Sequence, residues 1–188
     1  MKGFEVVKAL KKHISDNDIV VSSNGNISRE AFHFLPQPQV YLRGSMGLPL
    51  SVGLGLALAN PNKRIIVITG DGNFLMGLGS TITTAFYHPK NLKILILDNN
   101  EYFTTGGQPT VSSIVNYTKF FTSINAENQW SKKAIYEQIE DDLTEFLDSE
   151  TFSILHLQIE AAKEKLTNIP WHPKKIAEKI IARLIKTE

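Results

Sequence analysis

Two short polar strings interrupt otherwise apolar stretches of this chain. One is Gly70-Asp71-Gly72-Asn73; the other, about 27 residues further on, is Asp98-Asn99-Asn100-Glu101-Tyr102. Asp71 brings a carboxylate, and Asn99 or Asn100 an amide oxygen. These are hard oxygen donors, of the kind that hold Mg²⁺ together with phosphate oxygens of a ligand. The glycines flanking Asp71 allow backbone angles closed to other residues and let the chain approach a ligand closely. A helix starting after Gly72 would offer free N–H groups to phosphate. The combination is the chemistry of a diphosphate held through a divalent cation.

Something must bring the two strings together. Residues 65–68 are a β-branched run of the kind buried on both faces of a sheet, and residues 92–97 are a second apolar run. Between them, residues 74–87 read as a helix. Two parallel strands joined by a helix end on the same edge of their sheet. Ligands bind at that edge in open α/β sheets. The expected fold is therefore α/β, an open, mainly parallel sheet with helices on both faces, and residues 1–188 as a single domain.

The rest of the chain supplies further elements. Residues 3–13 read as a helix and 18–22 as the first strand. A polar turn then runs into a helix that Ser28 would cap and that Pro36 and Pro38 end. Gly44-Ser45-Met46-Gly47 leads into a helix over 48–60. Gly53 and Gly55 within it lack the third glycine and the preceding strand of a dinucleotide-binding turn. Residues 114–124 read as a helix. Residues 131–148 fit one long helix, or a strand at 133–137 followed by a helix from about 140, and the spacing does not choose. A last strand over 152–159 and a helix from Pro173 to residue 186 complete the chain. His156 and His172 read as structural, and Glu30 as a helix surface residue.

Composition narrows the classes. The chain has 188 residues, enough for one real core, with 42% hydrophobic and 21% charged residues. A net charge of +1 points to neither a nucleic-acid nor a membrane surface. With no cysteine, the chain itself can hold no disulfide, thiolate zinc site or iron–sulfur cluster, and a cytoplasmic setting is expected. The N-terminal stretch has the pattern of an amphipathic helix rather than a signal peptide.

Gly-Asp-Gly, the interval and Asp-Asn-Asn-Glu-Tyr together resemble the diphosphate and Mg²⁺ motif of thiamine-diphosphate enzymes. Two further strings resemble one branch, the sulfopyruvate and phosphonopyruvate decarboxylases: SSNGNISRE before an aromatic at 22–30, and TGGQPT at 105–110. GSMG at 44–47 resembles the segment on which the aminopyrimidine of thiamine diphosphate rests. The resemblance implies thiamine diphosphate and Mg²⁺ as cofactors. It implies cofactor contacts at Gly44, Ser45, Met46, Gly70, Asp71, Gly72, Asn73, Asn99, Glu101 and Tyr102. The metal would be held by Asp71, Asn99 and the carbonyl of Glu101. Matching Tyr102 to the family's tyrosine selects Asn99; counting the asparagine pair from its other end would select Asn100. Met46 matches the large apolar residue that wedges the cofactor into its bent form. Phe103 departs from the family pattern, which has a small residue or Asp there, and implies a reshaped substrate pocket.

In that family a glutamate from a different domain of similar size bonds the aminopyrimidine ring. No stretch of this chain resembles that domain. The expected assembly is a hetero-oligomer with a pyrimidine-domain (alpha) subunit, which would carry the catalytic glutamate, and with the active site in the shared cleft. The implied activity is decarboxylation of a small-molecule 2-oxoacid, sulfopyruvate or phosphonopyruvate, with Arg43 and His33 as candidates to meet its second anionic group. Acyloin or acetolactate-type carboligation, or a non-catalytic cofactor-binding role, are the alternatives. A ferredoxin-linked oxidoreductase fits poorly, because no cysteine is present to hold a cluster.

Overall fold

The structure, a computed structural model, describes residues 1–162 and 166–185. The strands are β1 Asp18–Ser22, β2 Val40–Tyr41, β3 Arg64–Gly70, β4 Leu92–Asp98, β5 Glu101–Tyr102, β6 Gln108–Pro109, β7 Asn128–Lys133 and β8 Ser153–Gln158. The helices are α1 Gly3–Leu10, α2 Asn26–Phe34, α3 Pro49–Ala59, α4 Asp71–Met76, α5 Leu78–Tyr87, α6 Tyr117–Ser123, α7 Ile139–Asp148 and α8 Pro173–Ile185. Six strands form one sheet in the order β2-β1-β3-β4-β8-β7, and every neighbouring pair is parallel. β5 and β6 form a separate antiparallel hairpin. The fold is α/β, as the two apolar runs and the helix between them lead one to expect.

Side-chain alternation along the central strands builds two cores. Ile66 and Ile68 of β3, with Leu95 and Leu97 of β4, pack against α1, α2 and α7. Ile65 and Val67, with Leu92, Ile94 and Ile96, pack against α3, α4 and α6. Successive side chains of a strand point to opposite faces, so an unbroken apolar run needs helices on both sides. Gly53 shows how tightly they close. A Cβ there would lie 2.2 Å from Val67 Cγ2, so α3 rests almost directly on β3. That contact explains a helix-interior glycine that otherwise costs about 1 kcal/mol.

From β1 the chain moves outward to β2, then crosses back to place β3 on the other side of β1. Such a reversal opens a crevice at the carboxyl ends of the two central strands. The ends of β1, β3 and β4 all lie there.

Several expectations are corrected. The helix expected over 74–87 begins earlier, at Asp71, and is broken at Gly77 into α4 and α5. The residue at the break has to be glycine, because a Cβ on Gly77 would come 2.1 Å from the carbonyl oxygen of Gly47. Ser28 does not cap α2. Gly25 occupies that position with φ 89°, and the Ser28 hydroxyl donates back to its carbonyl. The first helix tightens into a 3-10 turn over Lys11–His13. Residues 114–124 divide into a 3-10 turn, Ser112–Ile114, and α6. Of the two readings of 131–148, the strand-then-helix one has the right order and helix start, but the strand, β7, is Asn128–Lys133 rather than 133–137. Residue 186, the expected end of the last helix, lies outside the described residues. Among the described residues, no helix is long and apolar enough to cross a membrane.

Candidate active site

β3 delivers Gly70 and Asp71 to the crevice, and β4 delivers Asn99 and the loop beyond it. The cavity there is also lined by Asn24, Gly25 and Asn26 after β1 and by Met46, Gly72, Asn73, Glu101 and Tyr102. Of the ten residues tied to the cofactor by the resemblance, eight therefore share one cavity. Gly44 and Ser45 do not line it and sit on an exposed turn, Ser45 with φ 60°. Asn100 is also outside it, exposed and left-handed at φ 59°, whereas Asn99 lines it. Arg43 and His33 do not reach it either. The Arg43 guanidinium donates to the carbonyl of Trp171 at 2.9 Å, and His33 Nε2 meets the Thr167 carbonyl at 3.3 Å.

The two glycines beside Asp71 act differently from the expectation. Gly70 has φ −85°, and Gly72 lies inside α4, so neither adopts a left-handed backbone. Their value is close approach. A Cβ on Gly72 would come 2.2 Å from Tyr102 Cε1, so the tyrosine ring lies directly on the peptide. This joins the second polar string to the first. The β5–β6 hairpin holds Tyr102 in place, with Gly106 and Gly107 turning it at φ 125° and 73°.

Asn73 ties in the remaining loops. Its amide oxygen accepts the N–H of Gly47 at 2.8 Å, and its amide nitrogen donates to Asn24 Oδ1 at 2.6 Å. One buried side chain thus spans the GSMG turn and the end of β1, which sets Met46 over the cavity.

Asp71 is buried and, among the described residues, has no cationic partner. The Thr110 hydroxyl donates to its Oδ2. Burial, reinforced by the charge of Asp98, pushes Asp71 up to about 6, although Thr110 and the Gly72 N–H pull it down. Asp98 is handled the opposite way. Burial would raise it, but His156 and Ser112 hold it below its usual value. His156 Nε2 lies 2.9 Å and Ser112 Oγ 2.5 Å from Asp98 Oδ2, and the Asn100 N–H reaches Oδ1 at 2.9 Å. The Tyr117 hydroxyl lies 2.6 Å from Ser112 Oγ, its ring stacks on His156 at 3.9 Å, and Ser131 Oγ lies 2.8 Å from His156 Nδ1. This network anchors the loop carrying Asn99 to β8 and β7. His156 is structural, as read. The sequence reading did not find Thr110, Ser112 and Tyr117; a polar residue in an apolar strand, as at His156, was the available signal.

An uncompensated carboxylate beside an amide oxygen suits a hard divalent cation. Among the described residues, no three His, Cys, Asp or Glu side chains cluster. A cation here would rely on mixed donors: Asp71, the Asn99 side chain and a main-chain carbonyl. Glu30, read as a surface residue, is corrected by the structure: it is buried and lines the same cavity.

Relatives fit this geometry. The chain is 41% identical over 110 residues to the sulfopyruvate decarboxylase subunit beta of Methanocaldococcus jannaschii, covering 58% of each chain. It is 47% identical over 98 residues to the phosphonopyruvate decarboxylase of Streptomyces hygroscopicus, covering 52% of this chain and 24% of that one. With the sulfopyruvate decarboxylase of Methanosarcina acetivorans it shares 30% identity over 165 residues, 87% of this chain and 42% of that one. The matches thus span less than two thirds of these relatives. A solved structure from Mycobacterium smegmatis, described as thiamin diphosphate-dependent, superposes on 86% of the chain and on 32% of its own length, with TM-score 0.69 and 18% identity, which speaks to the fold. Residues 23–157 match the model of the thiamine pyrophosphate enzyme C-terminal TPP-binding domain. The chain belongs to the thiamine pyrophosphate enzymes, in the family of their C-terminal TPP-binding domain.

Proposed function

We propose that this chain is the diphosphate-binding subunit of a thiamine-diphosphate- and Mg²⁺-dependent 2-oxoacid decarboxylase acting on sulfopyruvate or phosphonopyruvate. The observation that carries the proposal is the buried, uncompensated Asp71 carboxylate sharing a cavity with Asn99 and Glu101 at the carboxyl edge of the sheet. In this reading Asp71, the Asn99 amide oxygen and the Glu101 carbonyl would hold Mg²⁺, which would supply positive charge for the diphosphate. Gly70, Gly72 and Tyr102 form the wall beneath it. Met46 supports the cofactor's bent form, and Gly44 and Ser45 reach it from the exposed turn at the mouth. When bound, thiamine diphosphate supplies the electron sink for loss of CO₂. Phe103 and Thr104 line the cavity on the loop side, where the substrate would enter.

Two features support a shared active site. The cavity measures about 160 Å³, below the roughly 300–1,000 Å³ of a complete small-molecule site. Relatives of similar length to this chain are named as beta subunits, which favours a partner carrying the pyrimidine-binding half and its glutamate. Leu58, Met76, Ile82 and Phe86 on α3, α4 and α5 are exposed, and an apolar surface of this kind suits burial against other subunits.

The test pairs binding with turnover. In calorimetric titration, Asp71→Ala lowers Mg²⁺-dependent affinity for thiamine diphosphate by about 100-fold. Asn99→Ala weakens it more than Asn100→Ala. Mixing the wild-type chain with a pyrimidine-domain subunit gives CO₂ release from sulfopyruvate or phosphonopyruvate that neither shows alone. Unchanged affinity of Asp71→Ala would sink the site; robust turnover by this chain alone would sink the shared cleft.

A further inference from the structure

Glu30 lies on α2 one helical turn after Asn26, and residues four apart share a helix face. It is 7% exposed and lines the same cavity as Asn26 and Asp71. Its surroundings are largely apolar. A Cβ placed on Gly3 would lie 3.5 Å from Glu30 Oε2, 3.1 Å from Ile159 Cδ1 and 3.7 Å from Leu97 Cδ1. Among the described residues, no hydrogen bond or ion pair reaches the carboxyl group. Buried carboxylates are normally paired, because desolvating an unpaired charge costs several kcal/mol.

The charged groups around it are placed elsewhere. Lys2 and Glu5 stand at the start of α1, where Glu5 accepts the Lys2 N–H at 2.8 Å. Arg29 and His33 belong to α2 itself; Arg29 reaches Asn26 Oδ1 at 3.4 Å and His33 meets Thr167. Glu160, beyond β8, pairs with the Met1 ammonium at 3.1 Å. Asp71 and Glu101 line the cavity from α4 and from β5. None of these charges accounts for the state of Glu30; burial alone pushes it up to about 7.

We infer that Glu30, in its protonated form, donates a hydrogen bond to a phosphate oxygen of the bound cofactor, so that cofactor binding takes up a proton from solvent. The inference rests on the diphosphate site proposed above. An ionised Glu30 offers lone pairs alone and would repel the diphosphate, whereas the neutral acid is a donor. An arriving anion raises the affinity of Glu30 for its proton further. No other bond forms or breaks. Among the described residues no Lys, Arg or His lines this cavity, and Glu30 is a donor that helps it accept an anion.

The test uses the full chain and Mg²⁺–thiamine diphosphate, with Mg²⁺–pyrophosphate as a second probe. Calorimetry in buffers of different ionisation enthalpy reads the protons exchanged. At about pH 8 the wild type takes up close to one proton per cofactor more than Glu30→Gln, which keeps the shape and an N–H donor. Above about pH 7 wild-type affinity falls by up to about tenfold per pH unit relative to the variant. An infrared difference spectrum shows a protonated-carboxyl band on binding in the wild type, and that band is missing in Glu30→Gln. Equal proton uptake in the two proteins, or no such band in the wild type, would overturn the inference while leaving the site intact. No binding of either probe to the wild type would overturn the site reading and this inference together.

Discussion

The two edges of the sheet differ in how much buried charge they leave unanswered: at the carboxyl edge Asp98 is paired with His156, but Asp71 and Glu30 are not. At the amino edge the buried charges of Asp18 and Lys93 are answered. Arg64 grips Asp18 through Nε at 2.7 Å and Nη2 at 2.9 Å, and also donates to the His13 carbonyl at 2.8 Å. Asp18 receives the Ser15 N–H and hydroxyl as well. Lys93, which burial and then Arg64 bring down to about 8, still donates to the carbonyls of Ser149 and Thr151 and to Ser153. At the carboxyl edge, Asp71 and Glu30 are buried with no counter-charge among the described residues and are pushed up to about 6 and about 7. Charges that complete their own hydrogen bonding serve the fold. Charges left short of partners are held for something that arrives later, and the fold loses stability by keeping them.

Breaking the amino edge gives the largest effect. Arg64→Ala strands the Asp18 carboxylate and lowers stability by about 3–5 kcal/mol. Urea unfolding measures this, and cofactor affinity per folded molecule stays unchanged. A loss below about 1 kcal/mol would remove the contrast between the edges.

The carboxyl edge is probed by pH. Glu30 and Asp71 both bind protons more tightly in the folded chain than in the unfolded one. Their contribution is therefore complete below about pH 4 and is lost as pH rises through about 6 and 7. Cofactor-free protein loses stability on the order of 1–3 kcal/mol across that window. Glu30→Gln flattens the upper part of the profile. Thermal unfolding at a series of pH values checks this, and a profile that rises from pH 4 to 7 would contradict it.

The smallest effect belongs to the network around Asp98, which anchors the Asn99 loop to β8 and β7. Ser112→Ala removes a donor to Asp98 and the link to Tyr117. Outer hydrogen bonds of this kind orient ligands, so Mg²⁺-dependent cofactor affinity falls by about tenfold. Stability changes by only about 1 kcal/mol. Calorimetry and denaturation on the same samples separate the two; a stability loss without an affinity loss would make Ser112 part of the fold alone.

Much of the architecture was legible because its signals are local. The β-branched runs at 65–68 and 92–97 encode strands buried on both faces, and Pro36, Pro38 and Pro173 mark helix boundaries. The pairing of Asp71 with the 99–102 string was legible from strand direction. β7 was less so, because an edge strand of alternating polar residues carries little apolar pattern. The need for glycine at the Gly77 break was invisible, since it arises from a contact with Gly47 thirty residues away. Glu30 was misread for the same reason. By sequence it reads as a helix surface residue, but α1 packs across α2 and closes off the carboxyl.

By itself the sequence determined the kind of sheet, the edge at which a ligand would sit and the donors brought to it, because period and strand–helix order follow from local backbone chemistry. The tertiary structure alone decided that Asn99 rather than Asn100 faces the cavity, that Gly72 is small to admit Tyr102, and that Asn73 joins the GSMG turn to β1. It also decided which charges go unanswered. Burial and hydrogen-bond partnership are set by what packs above a residue, and that neighbour comes from a distant part of the chain.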